Sequence, residues 1–323
     1  MNRESIISLL GADWSAYEAL VRETLHSDID LLNSVNGTVL SNSGKQLRPM
    51  MGLLAARACG GRCTRDSIHY AVASELLHNA TLMHDDVADN SSLRRGKPTL
   101  AALMGPTTAV LVGDYWLAKA VERIISTEHH EECTRLYAHT LSDLAEGEML
   151  QLQKAERADT TEEDYLRIVY CKTASLFESA CRAAALSVDA SQERIDAIGR
   201  YGAATGIAFQ IRDDIFDYWD AADIGKPSGI DLKEQKITMP LLGALRGCAC
   251  ESKMRQMVKD ITEKPENCAE LHSFVLQNGG VEYATGRLND YVQEALDALL
   301  ALPDSAEKEA LAELARYNAI RQK

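Results

Sequence analysis

This sequence predicts an all-α helical bundle. Apolar residues recur at three- and four-residue spacing over most of its length, convincing alternating strands are absent, and turn chemistry divides the periodic segments. In order, the helical segments are 13–33, 45–59, 65–89, 107–126, 131–154, 162–187, 192–219, 238–247, 281–301 and 305–320. Pro49 falls in the first turn of the second segment, where its missing N–H costs little. Breaks follow at Gly60-Gly61, at Arg95-Gly96-Lys97-Pro98, at Gly225-Lys226-Pro227-Ser228-Gly229, at Gly279-Gly280, and at Pro303-Asp304-Ser305 before the last helix. Long helices with short connections pack as a bundle. With 323 residues and 46% hydrophobic content the chain can bury a large core, and no Pro/Ser-rich linker or low-complexity tract divides it. One large domain over 1–323 is expected.

Charge and composition exclude several function classes. A formal charge of −14 argues against a nucleic-acid partner, because phosphate backbones are bound by Lys/Arg surfaces. No apolar run is long enough to cross a bilayer, and Met1-Asn2-Arg3-Glu4-Ser5 lacks the basic-then-apolar pattern of a secretory signal, so a cytoplasmic location is expected. Eight cysteines in such a chain suggest no disulfide framework. Cys59 and Cys63, or His129, His130 and Cys133, lack the paired spacing of a structural zinc site, and read as buried or incidental thiols.

Two aspartate clusters of one pattern stand far apart: Asp85-Asp86-Val87-Ala88-Asp89 and Asp213-Asp214-Ile215-Phe216-Asp217. On a helix, residues i, i+1 and i+4 fall on one face, so each cluster is expected to present three carboxylates as a single patch. Such charges repel, and hard multivalent cations held by carboxylate oxygens are the natural compensation. Solvated acidic helix ends are the plainer explanation, but the flanks fit it poorly. Leu76, Leu77, Ala80, Leu82 and Met83 precede the first cluster, and Ile207, Ala208, Phe209 and Ile211 the second. Basic residues accompany the clusters. Lys45 and Arg48 open a helix, whose N-terminus favours anions; Arg94-Arg95-Gly96-Lys97 follows the first cluster; Lys226, Lys233 and Lys236 follow the second.

These residues carry a resemblance to the trans-isoprenyl diphosphate synthases (polyprenyl synthetases), running from about Gly44 to the C-terminus. The motifs are GKQLRP at 44–49, LLHNATLMHDDVADNSSLRRGKPT at 76–99, LVGDYW at 111–116, EGE at 146–148, KTASLF at 172–177, GIAFQIRDDIFDYW at 206–219 and GKPSGIDLKEQKITMP at 225–240. The resemblance implies an isoprenoid-synthase bundle with a central cavity. It implies a Mg²⁺-dependent prenyltransferase that condenses isopentenyl diphosphate with an allylic diphosphate by ionisation, condensation and elimination. Three Mg²⁺ ions are expected on Asp85, Asp89 and Asp213, with Asp86, Asp214 and Asp217 supporting through water. Arg94, Lys172, Lys226 and Lys236 are expected around the allylic leaving group, and Lys45, Arg48, His78 and Arg95 on the isopentenyl diphosphate. Thr173 and Gln210 are expected along the path between the substrates. A homodimer is implied, as is transient membrane contact for product release.

Departures from the family pattern are Asn79, Ala88 and Glu234-Gln235-Lys236 in place of Glu-Gly-Lys; none removes a metal or anion ligand. Among rivals, a class I terpene cyclase shares the fold and the first motif but not the second. A silent partner subunit is disfavoured by two intact Asp motifs, and a di-iron bundle needs a second partner for Glu75-x-x-His78. Product length turns on the helix before Asp85. Short-chain enzymes of the family place an aromatic four or five residues ahead of the first Asp, where this chain has Thr81 and Ala80, with Ser74 and Ala73 further back. This stripe favours a medium- or long-chain product over farnesyl or geranylgeranyl diphosphate, with Tyr137, Leu141 or Trp116 as candidate floor residues.

Overall fold

The computed structural model describes residues 3–42, 44–94, 96–219 and 229–320. It is all-α apart from one two-stranded hairpin, β1 (Leu93–Arg94) against β2 (Lys97–Pro98), with Leu93 opposite Pro98 and Arg94 opposite Lys97. The chain forms two compact units, each drawn from three stretches: 1–138, 179–199 and 301–311 in the first, and 139–178, 200–300 and 312–323 in the second.

The first unit is organised around α5 (Arg65–Ala88). Thr64 caps it with a reciprocal box, the Thr64 hydroxyl accepting from the Ser67 amide at 3.1 Å and the Ser67 hydroxyl from the Thr64 amide at 2.9 Å. From Asp66 to Leu77 every residue is buried, as befits a helix surrounded by others. It packs against α2 (Ala12–Leu25), α4 (Leu47–Gly60) and α7 (Pro106–Ile125). Helix α1 (Arg3–Leu10) is new relative to the sequence reading, and the run 13–33 breaks in two, with α3 (Asp30–Ser41) following α2. The Asn33 side chain explains the break: it accepts from the Ser27 amide at 2.9 Å and donates to the Ser27 carbonyl at 2.6 Å, which fixes a turn that periodicity does not register.

In the second unit one apolar cluster joins Tyr165 and Val169 of α9 (Glu162–Val169), Ala208, Ile211 and Ile215 of α11 (Gln192–Phe216), and the helices Met239–Leu245, Glu251–Lys259, Asn267–Gln277 and Gly280–Ala298. The helices at 251–259 and 267–277 were not among the expected elements. The expected helix 162–187 is interrupted by a π-helical turn, Tyr170–Ala174, between α9 and α10 (Ser175–Leu186). Single-turn π segments concentrate at functional sites.

Candidate active site

The first Asp cluster ends α5, and its carboxylates divide. Asp85 is half-buried and Asp89 exposed, one turn apart, with the Asp89 amide donating to the Asp85 carbonyl at 2.8 Å. Asp86 is buried, and its carboxylate accepts from Arg94 Nε at 2.7 Å. The expected patch of three is therefore corrected. Residue i+1 lies about 100° around the helix from i, which turns Asp86 into the protein, where the β-hairpin delivers Arg94 as its partner. On the same unit Lys45 is exposed and Arg48 half-buried at the start of α4, and His78 is half-buried on α5, two turns before Asp85. Gln46, between Lys45 and Leu47, adopts left-handed backbone (φ 53°). It accepts from Arg3 at 2.8 Å and donates to the buried Tyr17 hydroxyl at 3.3 Å. Arg95 lies outside the described residues.

Along α5 behind Asp85, Thr81 is half-buried, while Ala80, Ser74 and Ala73 are buried. The stripe is not uniformly small: Leu77, 1% exposed, occupies the turn between Thr81 and Ser74. Tyr137 is buried near Tyr70, one turn further back on α5, and its hydroxyl has no hydrogen-bond partner among the described residues. Trp116 lines a small cavity with Glu75, Leu76 and Asn79, on a different face of α5, and donates to Asn36 at 2.8 Å. Leu141 falls in the second unit.

The second cluster divides in the same way. Asp213 is half-buried at the end of α11, whereas Asp214 is buried and clamped, accepting from Tyr165 at 2.5 Å and from Gln210 Nε2 at 2.8 Å. Burial, reinforced by the neighbouring Asp213 and Asp217 carboxylates, pushes Asp214 up to about 7. Gln210 in turn accepts from the Thr173 hydroxyl at 3.0 Å, so the π turn and α11 are joined by a Thr173–Gln210–Asp214–Tyr165 chain. Lys172, in the same turn, pairs with Glu148 and donates to Gln151 at 3.1 Å. Glycines explain how these elements approach. A Cβ on Gly147 of the EGE motif would stand 2.6 Å from Cys171 Cβ, and one on Gly206 of α11 2.6 Å from Ala174 Cα.

Asp217 is not on the helical face at all. Its two carboxylate oxygens accept from the Ile230 and Asp231 amides at 2.9 and 3.0 Å, and so fasten the chain beyond the cluster back to it. Asp231 is the residue the sequence reading missed: removal from solvent, then Asp214 and Asp217, push its carboxyl well above the ordinary range. The available signal was an acid in GKPSGIDLKEQK, which was read only for its lysines. Lys236 is half-buried. Gln235, where the family has Gly, takes left-handed backbone (φ 58°), which costs a side-chain-bearing residue about 1–2 kcal/mol. Its Nε2 donates to the Lys259 carbonyl at 2.7 Å, an offsetting bond that Gly could not make. Lys226 lies outside the described residues.

Residues 29–276 match the family model for polyprenyl synthetase. The chain belongs to the polyprenyl synthetase family. It is 37% identical over 322 residues to the octaprenyl diphosphate synthase of Escherichia coli (strain K12), covering 98% of each chain. It is 36% identical over 315 residues to the all-trans-nonaprenyl-diphosphate synthase (geranyl-diphosphate specific) of Rhodobacter capsulatus, covering 97% of this chain and 96% of that one. Its fold matches that of a Caulobacter crescentus CB15 polyprenyl synthase solved with calcium and isoprenyl diphosphate, with a TM-score of 0.90, 32% identity, and coverage of 100% of this chain and 98% of that one. The protein is thus a prenyltransferase of the medium- or long-chain polyprenyl diphosphate synthase type. No described helix is long and apolar enough to cross a membrane.

Proposed function

We propose that this polyprenyl synthase uses Mg²⁺ to condense isopentenyl diphosphate, head to tail, with an allylic diphosphate. The observation that carries the reading is the shared division of the two Asp clusters. In each, the first carboxylate is half-buried and partly open to solvent while the second is buried and held by Arg94 or by Tyr165 and Gln210, so ligand and support are separate jobs. Among the described residues no three acidic, His or Cys side chains converge to hold an ion unaided. The donor set nonetheless fits Mg²⁺, which binds through one or two carboxylates and completes its shell with water and substrate phosphates. Asp85, Asp89 and Asp213 would hold three such ions. When bound, they would neutralise the charge that develops on the diphosphate as the allylic C–O bond breaks.

The protein's own groups do the rest. Lys172, Lys236, Arg94 and Lys226 stabilise the departing diphosphate, with Lys172 exchanging Glu148 for the anion. Lys45, Arg48, His78 and Arg95 hold the diphosphate of isopentenyl diphosphate so that its alkene attacks the allylic cation; a proton is then lost from the adduct. Asp86, Asp214 and Asp217 position, and Thr173 and Gln210 line the path between the substrates. Labelled isopentenyl diphosphate, offered with each allylic primer and Mg²⁺, is expected to enter medium- or long-chain product, and a chelator to abolish incorporation. No incorporation with any primer under excess Mg²⁺ would overturn the reading.

Substrate division gives a second expected result. Arg48→Ala is expected to raise KM for isopentenyl diphosphate more than for the allylic substrate, because a helix-N-terminal Arg suits a metal-free diphosphate. Equal effects on both constants would count against the assignment. A homodimer is part of the proposal, supported by Leu111 (63% exposed) and Ile125 (57%) on α7 and checked by light scattering. So are a cytoplasmic location and transient membrane contact for release of an apolar product.

A further inference from the structure

The cysteines are of two kinds. Burial pushes the Cys59, Cys63 and Cys133 thiols up to about 12, so they stay protonated and unreactive at neutral pH. Cys248 and Cys250 are instead joined in a disulfide across the single exposed residue Ala249, on the loop between Met239–Leu245 and Glu251–Lys259. The sequence reading expects no disulfide framework and singles out neither cysteine; the bond is a correction to it. A disulfide restrains the unfolded chain in proportion to the logarithm of the loop it closes, and this loop is almost too short to matter. Fold stability does not explain the bond. Accessible disulfides are the ones open to thiol exchange.

What the bond adjoins suggests a use. Cys250 immediately precedes helix Glu251–Lys259, and its amide lies 3.1 Å from Cys248 Sγ. The helix is held by buried Met254, Met257 and Val258, and by Arg255 donating to the Ala158 and Thr160 carbonyls, both at 3.1 Å. At its other end the Lys259 carbonyl accepts from Gln235, the left-handed residue next to Lys236. One anchored helix therefore has the cysteine loop at its start and the Lys236 loop at its finish.

We propose that Cys248–Cys250 is a reversible thiol–disulfide site, opened by a glutathione-class thiol, whose state is transmitted along helix Glu251–Lys259 to the loop carrying Lys236. A glutathione thiolate attacks one sulfur and breaks the S–S bond, giving a mixed disulfide and one cysteine thiolate, which takes a proton from water. A second glutathione thiolate attacks the glutathione sulfur of the mixed disulfide, forming the S–S bond of oxidised glutathione and releasing the other cysteine as a thiolate, which also takes a proton from water. The two electrons come from the two glutathione thiols. Only the kinetic consequence rests on the proposed prenyl transfer.

The test equilibrates the full chain in buffers running from reduced to oxidised glutathione, then quenches in acid, alkylates, and counts free thiols at positions 248 and 250 by peptide mass spectrometry. Hydrogen exchange of segment 229–238 and KM for the allylic diphosphate are measured in both states, with Cys248→Ser as a permanently open form. The pair is expected to convert within the glutathione range. Exchange at 229–238 and the allylic KM should shift several-fold between states, and Cys248→Ser should match the open form in every buffer. A pair that stays wholly bonded or wholly reduced throughout, or identical exchange at 229–238 in both states, overturns the proposal. Absence of turnover in both states would instead remove the prenyl-transfer reading, and thiol counts with exchange would still decide this one.

Discussion

Asp85→Ala and Asp213→Ala are expected to lower kcat by about 10³-fold or more, corresponding to about 4 kcal/mol of lost transition-state stabilisation, with the helical circular dichroism unchanged. The magnitude follows from when the interaction acts: diphosphate charge appears as the C–O bond breaks, so a lost metal ligand costs the transition state more than the bound ground state. The structure adds a contrast within each cluster. Asp86→Asn alters a buried residue paired with Arg94. Because Arg94 is about a third exposed, the lost pair should cost only about 1 kcal/mol of stability, and turnover should fall less than in Asp85→Asn. If Asp86→Asn proves as damaging to kcat as Asp85→Asn, the division between partly exposed ligand and buried support is wrong. Cys59→Ser and Cys63→Ser should leave turnover nearly unchanged; a zinc-dependent loss of folding in these variants would reveal a metal site at these cysteines.

Periodicity made α4, α5, α7 and α11 legible because each carries apolar residues through several turns, and both Asp motifs could be placed at helix ends on that basis. The roles inside the motifs were less legible. Adjacent aspartates look equivalent in sequence; the step of about 100° between them turns the second of each pair inward, where Arg94 from the hairpin, Tyr165 from α9 and Gln210 one turn back on α11 hold it. Lys172 and Thr173 were found by motif, but the π turn that carries them leaves no periodic signature over five residues. Helix Glu251–Lys259 was missed for a related reason, since nine residues with only Met254, Met257 and Val258 buried make too short a pattern to stand out. Gln235 shows the reverse: the departure from Gly was visible, and its compensation by a bond to the Lys259 carbonyl was not.

Thr81→Phe is expected to shorten the product to about three or four isoprene units, because the ring would stand one helix turn, about 5 Å, behind the metal site, in space the growing chain must cross. The first condensations should continue at nearly the parent rate, since the reacting groups lie ahead of the block. Thr81 is the better test position: it is half-buried, whereas Ala80 is 1% exposed, and Ala80→Phe also carries an overpacking cost of about 1–3 kcal/mol. Leu77 already narrows the next turn, so Leu77→Ala should lengthen the product if the chain follows this face of α5. The helix has 24 residues, about 36 Å, and Tyr70, with Tyr137 near it, stands about 16 Å beyond Thr81, room for roughly three further extended units at about 5 Å each. A longer product must therefore bend or pass these rings, which makes Tyr137→Ala the complementary variant, expected to shift the distribution upward. Chain-length analysis of the four proteins decides the matter: unchanged distributions in Thr81→Phe, Leu77→Ala and Tyr137→Ala would show that these side chains only pack the helices, and that the chain grows along another face.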